Sequence, residues 1–219
     1  MGDTMKLYGM VVSPYVARVT LAATLKGLTL PATPPPGGGL KSAEYLAINP
    51  LGKIPALEVD GRVIPESMVI LDYLEDAHPQ PALLPTAALD RAQARLLGRI
   101  VDLYVMNSGG AFFRNMNPAT RNEQEVESGK AAFLKSLAHL EHFMGAGPYA
   151  VGDRLGYGDV AILPCLLMMQ NIVAAFGITD MYAGHSRLTR WWQQMQVDPA
   201  ISTFIADYRV AVTNFLNRR

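Results

Sequence analysis

A proline-rich stretch, His78-Pro79-Gln80-Pro81 closed by Pro85, divides the chain into two parts with different apolar spacing. Before it, short runs rich in Val, Ile and Tyr alternate with stretches whose apolar residues recur at helical spacing. After Leu89 no strand pattern persists. A chain that changes periodicity once, at a breaker, is expected to fold as two domains. The reading is an α/β domain over residues 1–80, a linker over 81–88, and an all-helical domain over 89–219. With 219 residues, half of them apolar and only 17% charged, each part can bury a core of its own.

The first part reads β-α-β-α-β-β-α. Residues 6–12 suit a strand. Ser13 then precedes Pro14, a favoured N-cap before a favoured first helical residue. Apolar residues follow at helical spacing until Gly27 supplies a stop. Residues 28–33 suit a second strand, the Pro-Gly run 34–39 a loop, and residues 42–48 a short helix. Residues 54–59 and 62–64 flank Asp60-Gly61, a strong tight-turn signal, and predict a hairpin. Residues 66–77 predict a helix. In the second part the spacing predicts helices over 90–107, 123–144, 157–176, 186–196 and 199–208.

Several function classes are not favoured. Nineteen basic residues balance nineteen acidic ones, so no charge excess points to nucleic acid or to a disordered acidic tail. The first residues lack an apolar leader core, and Met5-Lys6-Leu7 reads equally well as a start, so residues 1–4 are read as an extension. No unbroken run is long enough for a membrane span; the most apolar segment, 160–176, contains Pro164, Gln170 and Asn171 and reads as a buried helix. The single cysteine, Cys165, permits neither an internal disulfide nor a multi-cysteine metal site, and it reads as a small core residue. His139 and His142 share a helix face, but no carboxylate or thiol completes a ligand set, so no metal is expected. A cytoplasmic setting follows from the cysteine usage and the missing leader.

Three short signals carry chemistry. Ser13-Pro14-Tyr15-Val16-Ala17-Arg18 puts a hydroxyl at a helix start. Asn49-Pro50-Leu51-Gly52-Lys53-Ile54-Pro55 puts an extended backbone edge before a proline. Pro65-Glu66-Ser67 puts a carboxylate and a hydroxyl at a second helix start. A helix start favours a nearby anion, and backbone edges pair with peptides. The three together suit a small peptide-like ligand with a reactive thiol and charged ends.

This order of motifs resembles the cytosolic glutathione transferases, which join a thioredoxin-like domain to a helical one. The resemblance is most specific in the first 75 residues, and within the family it is closest to serine-type, tau-, zeta- or omega-like enzymes. It implies glutathione as co-substrate, with Ser13 as the catalytic residue. A hydroxyl donating to the glutathione sulfur would lower a thiol pKa that is ordinarily about 8.5. Omega-like members carry Cys at the position of Ser13, which here favours thiolate activation over disulfide exchange. The resemblance further implies a cis bond at Ile54-Pro55, with Ile54 pairing to the cysteinyl unit. Glu66 and Ser67 would hold the γ-glutamyl end, and Lys41 and Lys53 the glycyl carboxylate. Tyr8 and Tyr15 are rivals for Ser13, though Tyr8 lies inside the strand; Arg18 is read as structural.

The family's electrophile site lies between Ser13 and the second domain. Tyr15, Tyr104, Phe112 and Phe113 are its candidates here, the last two favoured by an expected helix break at Gly109-Gly110. Gly156-Tyr157-Gly158-Asp159 matches a family landmark of fold, with Gly156 where relatives carry Ser or Thr; Asp159 can still reach back to a backbone N–H. The expected activity is conjugation of glutathione to a small apolar electrophile, by a homodimer. A glutathione-dependent isomerase, dehalogenase, ether-cleaving enzyme or peroxidase is the alternative, and a non-catalytic binding protein the second. Ser13-Pro14 departs from the Ser-Ser/Cys variant usual in zeta-like isomerases.

Overall fold

In a computed structural model of the protein, residues 4–216 are described. Residues 1–3 of the expected N-terminal extension lie outside them. The chain divides into two compact units, one running to Leu83 and taking in the chain from Asn214, the other Leu84–Thr213.

The first unit is built on a four-stranded mixed sheet in the order β2-β1-β3-β4. Strand β1 (Met5–Tyr8) pairs in parallel with β2 (Ala32–Thr33) and antiparallel with β3 (Ala56–Val59), which pairs antiparallel with β4 (Arg62–Pro65). Leu7 lies opposite both Ala32 and Leu57. Asp60 and Gly61 both have positive φ, 47° and 79°, as the two-residue hairpin turn requires. Helix α1 (Pro14–Leu25) buries Val16, Val19 and Leu21; α2 (Ala43–Ile48) is capped by Ser42, whose Oγ accepts from Tyr45 N at 3.1 Å; α3 is Ser67–Ala77.

The strands are shorter than the apolar runs suggested. β1 stops at Tyr8 rather than reaching residue 12, because Gly9 sits against α1: a Cβ there would fall 2.5 Å from a Val16 methyl. β2 keeps only two of its six expected residues, since Pro31 has no N–H to give a ladder. The Pro-Gly loop contains one 3₁₀ turn, Pro36–Gly38.

The segment after α3 is tied down more firmly than a linker. Lys26 Nζ, with its side chain fully buried, meets Glu75 Oε1 at 2.5 Å and donates to the carbonyls of His78 at 2.8 Å and Pro81 at 3.1 Å. Leu83 N donates to the same Glu75 oxygen at 3.1 Å. The Gln80–Pro81 bond is cis, which nothing in the local sequence flagged. Removing one partner of a buried pair strands the other's charge. Lys26→Met is therefore expected to destabilise the first unit by about 3 kcal/mol, read by denaturant unfolding.

The second unit is helical among its described residues: α4 (Ala88–Ile100), α5 (Met106–Arg114), α6 (Glu123–Phe143), α7 (Tyr157–Ala174), α8 (Ser186–Val197) and all but the last three residues of α9 (Ser202–Leu216). A π-helical stretch, Val101–Val105, joins α4 to α5 without interruption. The expected break at Gly109-Gly110 is absent: both lie inside α5. The glycine serves close packing instead, since a Cβ on Gly109 would fall 2.7 Å from Met169 Cε. α9 extends well past residue 208 because Ile201, Ile205, Tyr208 and Val212 continue one buried stripe.

Helix α7 is the one described helix long and apolar enough to cross a membrane, and 83% of it is buried inside the protein. It is the unit's central core helix, and Cys165 is fully buried on it. Its first turn is held by Asp159, 1% exposed. Oδ2 accepts from Gly156 N at 3.0 Å; Oδ1 accepts from Ala150 N at 2.8 Å and Trp191 Nε1 at 2.7 Å. Only the carboxylate half of the capping box exists, because Gly156 has no side chain to return a bond.

Candidate glutathione site

Ser13 stands at the N-cap of α1 with extended φ and ψ of −68° and 124°. Its N–H donates to the Met10 carbonyl at 2.9 Å and its C=O accepts from Ala17 N at 2.9 Å. Its side chain makes no capping hydrogen bond. The bland role for a serine here, satisfying a first-turn N–H, is thus not the one the hydroxyl plays. The half-buried hydroxyl sits beside the positive end of the helix.

Five residues on, Arg18 is fully buried and its Nη1 donates to Ser67 Oγ at 2.9 Å. Arg18 therefore ties α1 to the first turn of α3, and its guanidinium carbon lies 5.5 Å from the centre of the half-buried Tyr15 ring. Ser67 is 5% exposed; with an oxygen lone pair engaged by Arg18, its hydroxyl proton is left to donate elsewhere.

Glu66 precedes it with φ 70° and ψ 113°, beyond the left-handed helical well. Such a conformation costs on the order of 1–3 kcal/mol in a non-glycine residue and marks functional positions. It leaves Glu66 exposed at the start of α3.

The third element is the turn before β3. The Ile54–Pro55 bond is cis, as its motif predicts. Two buried side chains hold the backbone just ahead of it: Tyr45 Oη and Asn49 Nδ2 donate to the Lys53 carbonyl at 2.6 Å and 2.9 Å. Asn49 Oδ1 also accepts from Leu51 N at 3.2 Å. Ile54, half-buried, has no backbone partner for its own N–H and C=O among the described residues. Tyr45 carried no signal in the sequence; Asn49 lay inside the motif but was given no role.

Lys41 and Lys53 are exposed, and neither has an ion-pair partner among the described residues. Lys41 lies over the turn, because a Cβ on Gly52 (φ 57°) would fall 2.9 Å from its Nζ.

Tyr8 is excluded as a rival to Ser13. It is 4% exposed and its hydroxyl donates to Glu58 Oε2 at 2.7 Å. That bond, aided by burial, raises its pKa and commits its proton. In the second unit, Phe112 is fully buried, ringed by Phe133 at 5.8 Å and Phe176 at 5.1 Å, and so is core rather than an electrophile contact. Tyr104 and Phe113 do expose their rings. The described residues contain no cluster of His, Cys, Asp or Glu able to hold a metal.

Two family models match: the glutathione S-transferase N-terminal domain over residues 7–82 and the C-terminal domain over residues 103–199. The chain belongs to the glutathione S-transferase family. It is 32% identical to a maleylacetoacetate isomerase from Pseudomonas aeruginosa over 196 residues, covering 83% of this chain and 92% of that protein. It is 26% identical to a glutathione S-transferase from Pseudomonas putida, covering 97% and 96%. Among solved structures it resembles rice GST1 in complex with glutathione, with a TM-score of 0.79 and 27% identity over 100% of this chain and 98% of that one.

Proposed function

We propose that the protein ionises glutathione at Ser13 and adds the sulfur to a small apolar electrophile. The observation that carries this is the Ser13 hydroxyl, placed at a helix start yet not used to cap it. Glutathione gives up its thiol proton to solvent, and the Ser13 O–H donates to the resulting thiolate. The sulfur then forms a bond to an electrophilic carbon, with loss of a leaving group or protonation of the adduct. Ile54 pairs with the cysteinyl backbone, Glu66 takes the γ-glutamyl ammonium, and Ser67 donates to its carboxylate. Lys41 and Lys53 attract the glycyl carboxylate. Tyr15, Tyr104 and Phe113 are proposed as contacts of the electrophile. The protein is proposed to act in the cytoplasm as a homodimer.

A second reading shares the first step. Several relatives are named maleylacetoacetate isomerase, at 30–32% identity. In an isomerase the thiolate would add to a cis double bond, the resulting single bond would rotate, and elimination would return the thiolate unchanged. One experiment separates the two. A panel of electrophiles is run beside maleylacetoacetate, with free thiol and cis-to-trans conversion both followed. Thiol consumption supports conjugation. Conversion without thiol loss replaces conjugation with isomerisation. Neither, together with no heat on titrating glutathione, removes the glutathione reading itself.

Glu66→Ala is expected to raise the Michaelis constant for glutathione about tenfold or more while leaving that for the electrophile nearly unchanged, since a charged hydrogen bond is worth about 1.5–3 kcal/mol. Steady-state kinetics with each substrate varied in turn checks this. Equal changes in both constants would make Glu66 a fold element only.

A further inference from the structure

Two donors converge on the carbonyl of Lys53, one residue ahead of Ile54: Tyr45 Oη at 2.6 Å and Asn49 Nδ2 at 2.9 Å. One donor satisfies a carbonyl; a second, on the other lone pair, also fixes its direction. The Lys53 C=O and the Ile54 N–H belong to one planar trans peptide unit, in which they point opposite ways. Holding the carbonyl on Tyr45 therefore turns the Ile54 N–H away from Tyr45, and that N–H has no partner among the described residues. The scaffold behind the carbonyl is tightly built. Tyr45 is fully buried, its ring lies 6.0 Å from that of Tyr8, and the Ile54 side chain packs against the same cluster. Asn49, 1% exposed, accepts from Leu51 N on its side chain and from Gly52 N, at 2.9 Å, on its own carbonyl. A Cβ on Gly52 would fall 2.9 Å from the Leu40 carbonyl oxygen, so the turn sits close against the chain before α2. Burial raises the Tyr45 phenol above its ordinary pKa, so it remains a donor. A phenylalanine would fill the same core volume; the hydroxyl is the part of Tyr45 that packing does not require.

We infer that Tyr45 is a positioning residue for glutathione: its hydroxyl, with Asn49, aims the Ile54 N–H at the cysteinyl carbonyl. Tyr45 touches no atom of the ligand and acts through the Lys53–Ile54 peptide plane. The inference rests on the proposed pairing of Ile54 with glutathione. Without the hydroxyl the Lys53 carbonyl keeps Asn49 but loses one of its two restraints. The peptide plane can then rock, and the Ile54 N–H samples directions that miss the ligand. Binding must order it again, which costs affinity. A ring that only filled the core would have no such link to one particular atom of the ligand.

The test is calorimetric titration of the intact wild-type protein and Tyr45→Phe with two ligands. One is glutathione. The other is its isostere with a trans carbon–carbon double bond in place of the cysteinyl–glycyl amide, which keeps the shape but removes the carbonyl that the Ile54 N–H would meet. Tyr45→Phe is expected to weaken glutathione about fivefold and the isostere by less than about twofold. The Michaelis constant for glutathione should rise by the same factor, more than the rate at saturation falls. Asn49→Ala, which leaves the carbonyl to Tyr45, should show the same selective loss, so a folding failure of either variant leaves the other to decide. Unfolding midpoints show which variants are folded. Equal weakening of both ligands would make Tyr45 a core residue only and overturn the inference. So would a glutathione affinity indifferent to Tyr45→Phe, with the glutathione site itself left standing. No heat on titrating glutathione into the wild-type protein would remove that site, and this role with it.

Discussion

Ser13→Ala is expected to lower turnover by on the order of 100-fold or more, with only a modest change in glutathione affinity. The size follows from what preorganised donors aimed at a developing or bound anion contribute. The split follows from the geometry. The hydroxyl makes no capping bond, so its loss should not unfold α1. The proposed binding contacts at Ile54, Glu66 and Ser67 lie on other elements and remain. A thiol that has lost its donor should titrate closer to its free value of about 8.5. Two readings check this: the rate at saturating glutathione, and the ultraviolet thiolate band of bound glutathione followed against pH. In the variant the band should appear at higher pH. Unchanged turnover at matched folding would move the activating role to another group.

Asp159→Ala is expected to destabilise the protein by on the order of 5 kcal/mol, enough to abolish soluble expression if the native state is marginal. Three donors from three different segments converge on this carboxylate: Ala150 N, Gly156 N and Trp191 Nε1. Alanine would leave all of them without a partner. Burial pushes the Asp159 pKa up to about 6 from 3.8, against the opposing pull of its donors. The sign follows by linkage. Between those two values the native state binds more protons than the unfolded one, so this group's contribution to stability grows as pH falls and is lost as pH rises through about 6. The gap between wild type and Asp159→Ala should therefore widen by about 1 kcal/mol on going from pH 7 to pH 5. Denaturant midpoints at the two pH values measure it. A gap that stays the same would mean the carboxylate is ionised throughout that range.

What the sequence disclosed was whatever is decided locally. The Asp60-Gly61 turn and the Ser13-Pro14 helix start follow from backbone preferences of a few adjacent residues, and each is where the spacing put it. The Glu66-Ser67 start of α3 was legible as a position, but not the positive φ of Glu66, because nothing about glutamate foreshadows it. Features set by distant packing were hidden. Gly109-Gly110 looked like a helix break, yet Met169, sixty residues on, is what requires Gly109 to lack a side chain. Phe112 looked like a pocket ring and is core, because α6 and the end of α7 bring Phe133 and Phe176 onto it. Tyr45 holds the Lys53 carbonyl from a helix with no distinguishing motif. Strand lengths were overestimated for the same reason: an apolar run records burial, and burial continues past the point where pairing stops.

The two tryptophans of the chain are neighbours on α8, and a step of one residue turns them to different sides of the helix. Trp191 is sealed in the core with its indole N–H on Asp159, while Trp192 is half-exposed between Arg209 and Tyr182. Their emission should accordingly separate into a blue component that acrylamide barely quenches and a redder one that it strips away. The first reports the integrity of the α7 anchor during unfolding. The second reports events at the surface of α8 and α9, without any label having to be introduced.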